Sequence, residues 1–101
     1  MPVAKIRDWE LNTKVNAEFV KRSVDTQYLK IGTTAGIAHV TGKIKFTGSK
    51  IDESIDAEVI NVLKSIDRAI RGINGVKEVK YQLENWQRQG GNWNRRAQEA
   101  A

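Results

Sequence analysis

The sequence predicts an α+β fold, a two-layer sandwich in α-β-β-α-β order whose three-stranded sheet carries both helices on one face. Three observations predict it. Tyr28 to Phe46 alternates with a period of two, broken once at Ala35-Gly36, as a half-buried hairpin does. Stretches with a helical period flank the hairpin on both sides. A third alternation follows the second helical stretch, so a helix connects strands two and three. Such a crossover between parallel strands is right-handed and leaves its helix on one side of the sheet.

The first element is read from Asp8 to Val24. Leu11, Val15 and Phe19 recur every fourth residue, with Ala17, Val20 and Val24 widening the stripe and Lys14, Glu18, Lys21 and Arg22 on the wet side. Asp8 or Asn12 is the expected cap. In the hairpin, Leu29, Ile31 and Thr33 fall on one face, continued by Ala38, Val40, Gly42, Ile44 and Phe46. Gly36 supplies the positive φ of the turn. Gly42, mid-strand on the inward face, marks a close backbone approach, expected from a crossing helix. Thr47 to Ser54 is polar and reads as a loop. Asp52, Glu53 and Asp56 lack the spacing of a calcium loop, and Ser54 or Asp56 is the expected cap of the second helix. That helix, Ile55 to Arg71, has Val59, Val62, Leu63, Ile66, Ala69 and Ile70 on one stripe and stops at Gly72. Asn74-Gly75 turns the chain into a third strand, Val76 to about Trp86, where Val79, Tyr81 and Leu83 alternate with Lys80, Gln82 and Glu84.

The 101 residues suffice for one domain, read as 1–86, with 87–101 as a flexible C-terminal tail of glycine and polar residues. The chain has no cysteine, which excludes disulfides and thiol nucleophiles. No apolar run approaches the roughly 18 residues of a membrane span, and the first residues lack the apolar core of a secretory signal. As written the chain reads as cytoplasmic, and as periplasmic or membrane-associated if a signal has been removed.

Gly36-Ile37-Ala38-His39-Val40-Thr41-Gly42-Lys43-Ile44 resembles the central strand signature of the BON domain. Ile73-Asn74-Gly75-Val76-Lys77-Glu78-Val79 resembles that family's closing stretch, and Leu11 to Phe19 its opening helix. The resemblance spans about Leu11 to Leu83, with a loop at Thr47 to Ser54 longer than the family's usual one. It implies a bacterial, non-enzymatic module that associates with phospholipid membranes or protein partners. Ring-building modules of secretion and sporulation machines share a similar helix–strand order and assemble side by side.

The residues carry no nucleophile motif, no phosphate-binding glycine loop and no metal-ligand cluster, so neither catalysis nor a cofactor is expected. His39 is the sole histidine, without a second ligand or base. The net charge of +5 draws attention to the outer sheet face, where Tyr28, Lys30, His39, Lys43, Lys45 and Lys80 form the candidate binding surface. Lysines there suit an anionic membrane surface, and a protein partner is the other occupant expected. Single-stranded nucleic acid is the alternative, since lysines meet phosphates and aromatics stack on bases. Self-assembly into a ring or filament is the third reading, through Ile51, Ile55, Ile60, Trp9, Trp86 and Trp93. Gly36, Gly42 and Gly75 are the structural glycines.

Overall fold

The computed structural model describes residues 8–48 and 50–96. Helix α1 spans Asp8–Lys21, strand β1 Leu29–Thr34, strand β2 Ile37–Gly42, helix α2 Asp56–Arg71 and strand β3 Glu78–Leu83, followed by strands β4, Trp86–Gln89, and β5, Asn92–Arg95. The main sheet has the order β1-β2-β3, with β1 antiparallel and β3 parallel to β2. β4 and β5 form a separate antiparallel pair. The α-β-β-α-β order and the α+β class are those the sequence predicts.

The register puts Leu29, Ile31, Thr33, Ala38, Val40, Gly42, Val79, Tyr81 and Leu83 on one sheet face. That face joins Val15 and Phe19 of α1 and Val59, Leu63, Ile66 and Ile70 of α2 in one core. Each of these buried aliphatic side chains contributes about 1.5–3 kcal/mol.

α1 ends earlier than its apolar pattern suggests. Ser23 adopts φ 63°, and the N–H groups of Ser23 and Val24 donate to the carbonyls of Val20 and Phe19 at 3.1 Å each. This is a Schellman closure with serine where glycine is usual. Val24 still reaches the core beyond the helix, but Val20 is 55% exposed and Ala17 also faces solvent. Asn12 does not cap the helix; its side-chain oxygen accepts a hydrogen bond from the Thr33 hydroxyl. For α2, neither Ser54 nor Asp56 caps the start. Ile55 occupies the cap position without a side-chain bond, and Ser54 instead donates to Asp52 in a local turn.

β2 stops at Gly42 and does not run on to Phe46. Gly42 has φ +113°, and a Cβ there would lie 2.1 Å from the Tyr28 carbonyl oxygen. The close approach comes from the chain just ahead of β1, not from a crossing helix. Beyond it Ile44 stays buried because Asn85 clamps its backbone, accepting from its N–H at 3.0 Å and donating to its carbonyl at 2.8 Å. The β1–β2 turn places Ala35 at φ 51° and Gly36 at φ 82°, the type I′ geometry whose twist suits a hairpin. Gly36 also packs against the carbonyl of Gly75, itself at φ 104° in the turn before β3.

The segment after Trp86 corrects the sequence reading most. Gln87 to Arg96 is no tail: it completes the β4–β5 hairpin around a Gly90-Gly91 turn. Trp86 and Trp93 are 1% and 3% exposed and belong to the core. Arg95 fastens the hairpin to the start of α2, donating to Asp56 at 2.8 Å and to the Glu53 carbonyl at 2.6 Å while its guanidinium lies 4.6 Å from the Trp86 ring centroid. Residues 97–101 of the expected tail lie outside the described residues. Of the tryptophans expected near the ends, only Trp9 is exposed, at 61%.

Two substitutions test these joints by urea or thermal unfolding. Ser23→Gly relieves the left-handed strain and is expected to raise stability by about 0.5–1 kcal/mol. Trp93→Ala is expected to cost about 3–5 kcal/mol; a cost near zero would mean that the hairpin does not belong to the core.

Candidate binding surface

The outer sheet face is built from cross-strand rows. Lys30, Thr41 and Gln82 form one row, Gly32, His39 and Lys80 the next, and Thr34, Ile37 and Glu78 the row at the turn end. The two rows nearer the Gly42 end hold no carboxylate; Glu78 stands in the last. A Cβ added at Gly32 would meet nothing within 4 Å, so the centre of the face is open. Lys30, His39 and Lys80 are all exposed.

The other expected residues sit beyond the strand ends. Tyr28 closes a 3₁₀ turn, Thr26–Tyr28, and its carbonyl accepts from the Lys43 N–H at 2.9 Å. That bond brings the post-Gly42 segment alongside the sheet. The Lys45 ammonium then lies 5.1 Å from the centroid of the Tyr28 ring, within cation–π range. Lys43 and Lys45 flank buried Ile44 and are themselves exposed. Tyr28, Lys43 and Lys45 are therefore one group and Lys30, His39 and Lys80 another, joined through the Lys30–Thr41 row. Among the described residues, none of the four lysines forms an ion pair with a carboxylate.

A second polar centre, absent from the sequence reading, lies in the helical layer. Asp67 of α2 is 8% exposed. Its Oδ1 accepts from the Tyr81 hydroxyl at 2.7 Å, both its oxygens accept from Arg71 Nε at 3.0 and 3.1 Å, and Arg88 Nε lies 3.5 Å from Oδ2. The Tyr81 ring meets Trp93 edge-on at 4.7 Å. Burial, and then the adjacent Asp67 carboxylate, push the Tyr81 phenol far above the usual phenol range. The place of Asp67 in the sequence does not mark it for burial: Lys64 likewise follows an apolar core residue directly and is exposed.

At the α1–α2 contact, Arg22 donates to Glu18 at 2.9 Å and to the Ser65 hydroxyl at 3.0 Å. That bond from Arg22 holds the Glu18 carboxyl below the usual carboxylate range. The pair's contribution is present at neutral pH and lost as pH falls through that depressed value, and at this partly solvated site it is small.

No group of three or more His, Asp or Glu side chains is placed to hold a metal ion among the described residues, and no described helix is long and apolar enough to cross a membrane. No protein-family model matches the chain, and neither a curated protein nor a solved structure matches it significantly.

The Tyr81 environment gives a pH prediction. A raised folded-state value means that the stabilisation is complete below the ordinary phenol value of about 10 and is lost as pH rises above it. In a Tyr28→Phe background, where Tyr81 is the remaining tyrosine, ultraviolet titration should show no phenolate until the protein unfolds. Phenolate appearing near pH 10 with the fold intact would contradict the buried Tyr81–Asp67 bond.

Proposed function

We propose that the chain is a non-enzymatic, BON-like binding module that docks through the outer face of its sheet onto an anionic phospholipid surface. The observation that carries this reading is the set of four exposed lysines, Lys30, Lys43, Lys45 and Lys80, none ion-paired with a carboxylate among the described residues. Each lysine near an anionic surface is worth about 1 kcal/mol, so the four together give reversible, salt-sensitive attachment. Tyr28, 47% exposed beside Lys45, adds an amphipathic ring of the kind that settles at a headgroup boundary.

Stacking on single-stranded nucleic acid has less support. Trp86 and Trp93 are buried, and the Tyr28 ring already has Lys45 over one side. Self-association is supported by a separate feature: Trp9 and Val20, exposed on α1, stand eleven residues apart and so lie on one stripe of the helix. Light scattering on a gel-filtration column tests it, since a monomer at high concentration would remove it.

Co-sedimentation tests the leading reading. The protein should pellet with anionic vesicles at low salt, less at physiological salt, and not with neutral vesicles. Replacing Lys30, Lys43, Lys45 and Lys80 by glutamine should reduce the bound fraction at least tenfold with the unfolding temperature little changed. Undiminished pelleting of that variant would overturn the assignment of the face, and an acidic protein partner would take the place of the membrane if the wild type stays in the supernatant throughout.

A further inference from the structure

A recess of about 340 Å³ opens in the helical layer, lined by Lys64, Asp67, Arg68, Arg71, Gly91 and Trp93. It lies against α2 and the β4–β5 turn, away from the outer sheet face. Its one lining carboxylate, Asp67, already accepts hydrogen bonds from Tyr81 and Arg71 and is ion-paired with Arg88 at 3.5 Å. Arg71 spends only its Nε on that carboxylate, so its terminal nitrogens have no hydrogen-bond partner among the described residues. Arg88 reaches the same turn, with Nη2 3.9 Å from where a Cβ on Gly91 would stand. Neither Lys64 nor Arg68 pairs with a carboxylate among the described residues. Three cations, Lys64, Arg68 and Arg71, therefore line the recess with one carboxylate, an excess of two positive charges, and Trp93 adds an aromatic side chain to the lining.

We infer that this recess binds a dianionic oxyanion, a phosphate monoester or inorganic phosphate, between Lys64, Arg68 and the free nitrogens of Arg71. Guanidinium nitrogens match phosphate oxygens in a bidentate fork, and Lys64 adds a point charge. Asp67 serves as the positioning residue: it fixes Arg71 through Nε so that the terminal nitrogens face outward. Glycine at position 91, at φ +87°, keeps the turn side of the recess free of a side chain. The inference does not depend on the sheet-face reading, because the two sites share no residue.

The test is an ¹⁵N NMR titration with inorganic phosphate at constant ionic strength, against a chloride control. Saturable shifts of the Trp93 indole and Gly91 amide, at low-millimolar phosphate and absent with chloride, are expected. The Lys64→Ala/Arg68→Ala double variant, whose substitutions are on the exposed side of α2, should keep its spectrum and weaken binding tenfold or more. Lys30→Gln/Lys80→Gln should leave the titration unchanged, which separates this site from the sheet face. Two further arms identify the source of the phosphate, and either supports the recess: competition by glycerol 3-phosphate marks a soluble monoester, and binding to phosphatidic acid vesicles that the double variant loses marks a lipid. Shifts that grow linearly without saturating, shifts that chloride reproduces, or binding undiminished in the double variant would overturn the inference.

Discussion

The Asp67 carboxylate is the constraint on which the rest of the structure depends. A charge buried to 8% exposure is stable only if donors replace its water. Here Tyr81 of β3 and Arg71 of α2 donate to it, and the Arg88 guanidinium of β4 stands beside it as a countercharge, Nε 3.5 Å from Oδ2 and without a hydrogen bond of its own. One group thus ties the second helix, the parallel edge strand and the C-terminal hairpin to a common point. Removing one donor would cost more than one hydrogen bond, because the carboxylate would be left undersatisfied in a poorly solvated place. The ring of Tyr81, held by that bond, is the surface on which Trp93 packs edge-on. The hairpin is therefore fixed by an ionic contact at Asp67, an aromatic contact at Tyr81 and the Arg95 clasp at the start of α2.

That arrangement divides the molecule. The inner sheet face is covered by α1, α2 and, through its two tryptophans, the hairpin. The outer face has nothing over it at Gly32 and carries lysines unpaired among the described residues. Positive charge is found in both layers, in two forms. On the sheet it is spread over point-charge lysines, which suits an extended anionic surface. In the helical layer it is gathered into arginines around a recess, which suits one compact anion.

Much of the fold was legible because burial imposes periodicity. Val15, Phe19, Val59, Leu63, Ile66 and Ile70 gave both helices, and Ala38, Val40, Val79 and Leu83 gave the inward sheet face. What misled was local geometry invisible to periodicity. The alternation runs through Gly42 to Phe46, yet the Tyr28 carbonyl forces the backbone out of the strand there. The apolar stripe of α1 runs to Val24, yet Ser23 turns left-handed and Val24 arrives by another path. The hairpin after Leu83 looked like a polar tail because only alternate residues of two short strands are apolar. Trp86 and Trp93 placed on either side of Gly90-Gly91 were the available signal, since a two-glycine turn between alternating strands favours a type I′ hairpin. The lysines of the candidate surface were legible from alternation alone as far as Gly42; Lys43 and Lys45 owe their exposure to the buried Ile44 between them. The Asp67 centre was not legible, because its partners come from three separate stretches of chain.

The proposed docking mode puts the sheet, and not the helical layer, against an anionic surface. The absence of cysteine lets a single label be placed at will. His39→Cys on the outer face and Asn61→Cys on the exposed side of α2, each carrying an environment-sensitive fluorophore, would be mixed with anionic vesicles containing a lipid-borne quencher. Strong quenching at position 39 and little at position 61 is the predicted result. Equal quenching at both, or stronger quenching at 61, would contradict it.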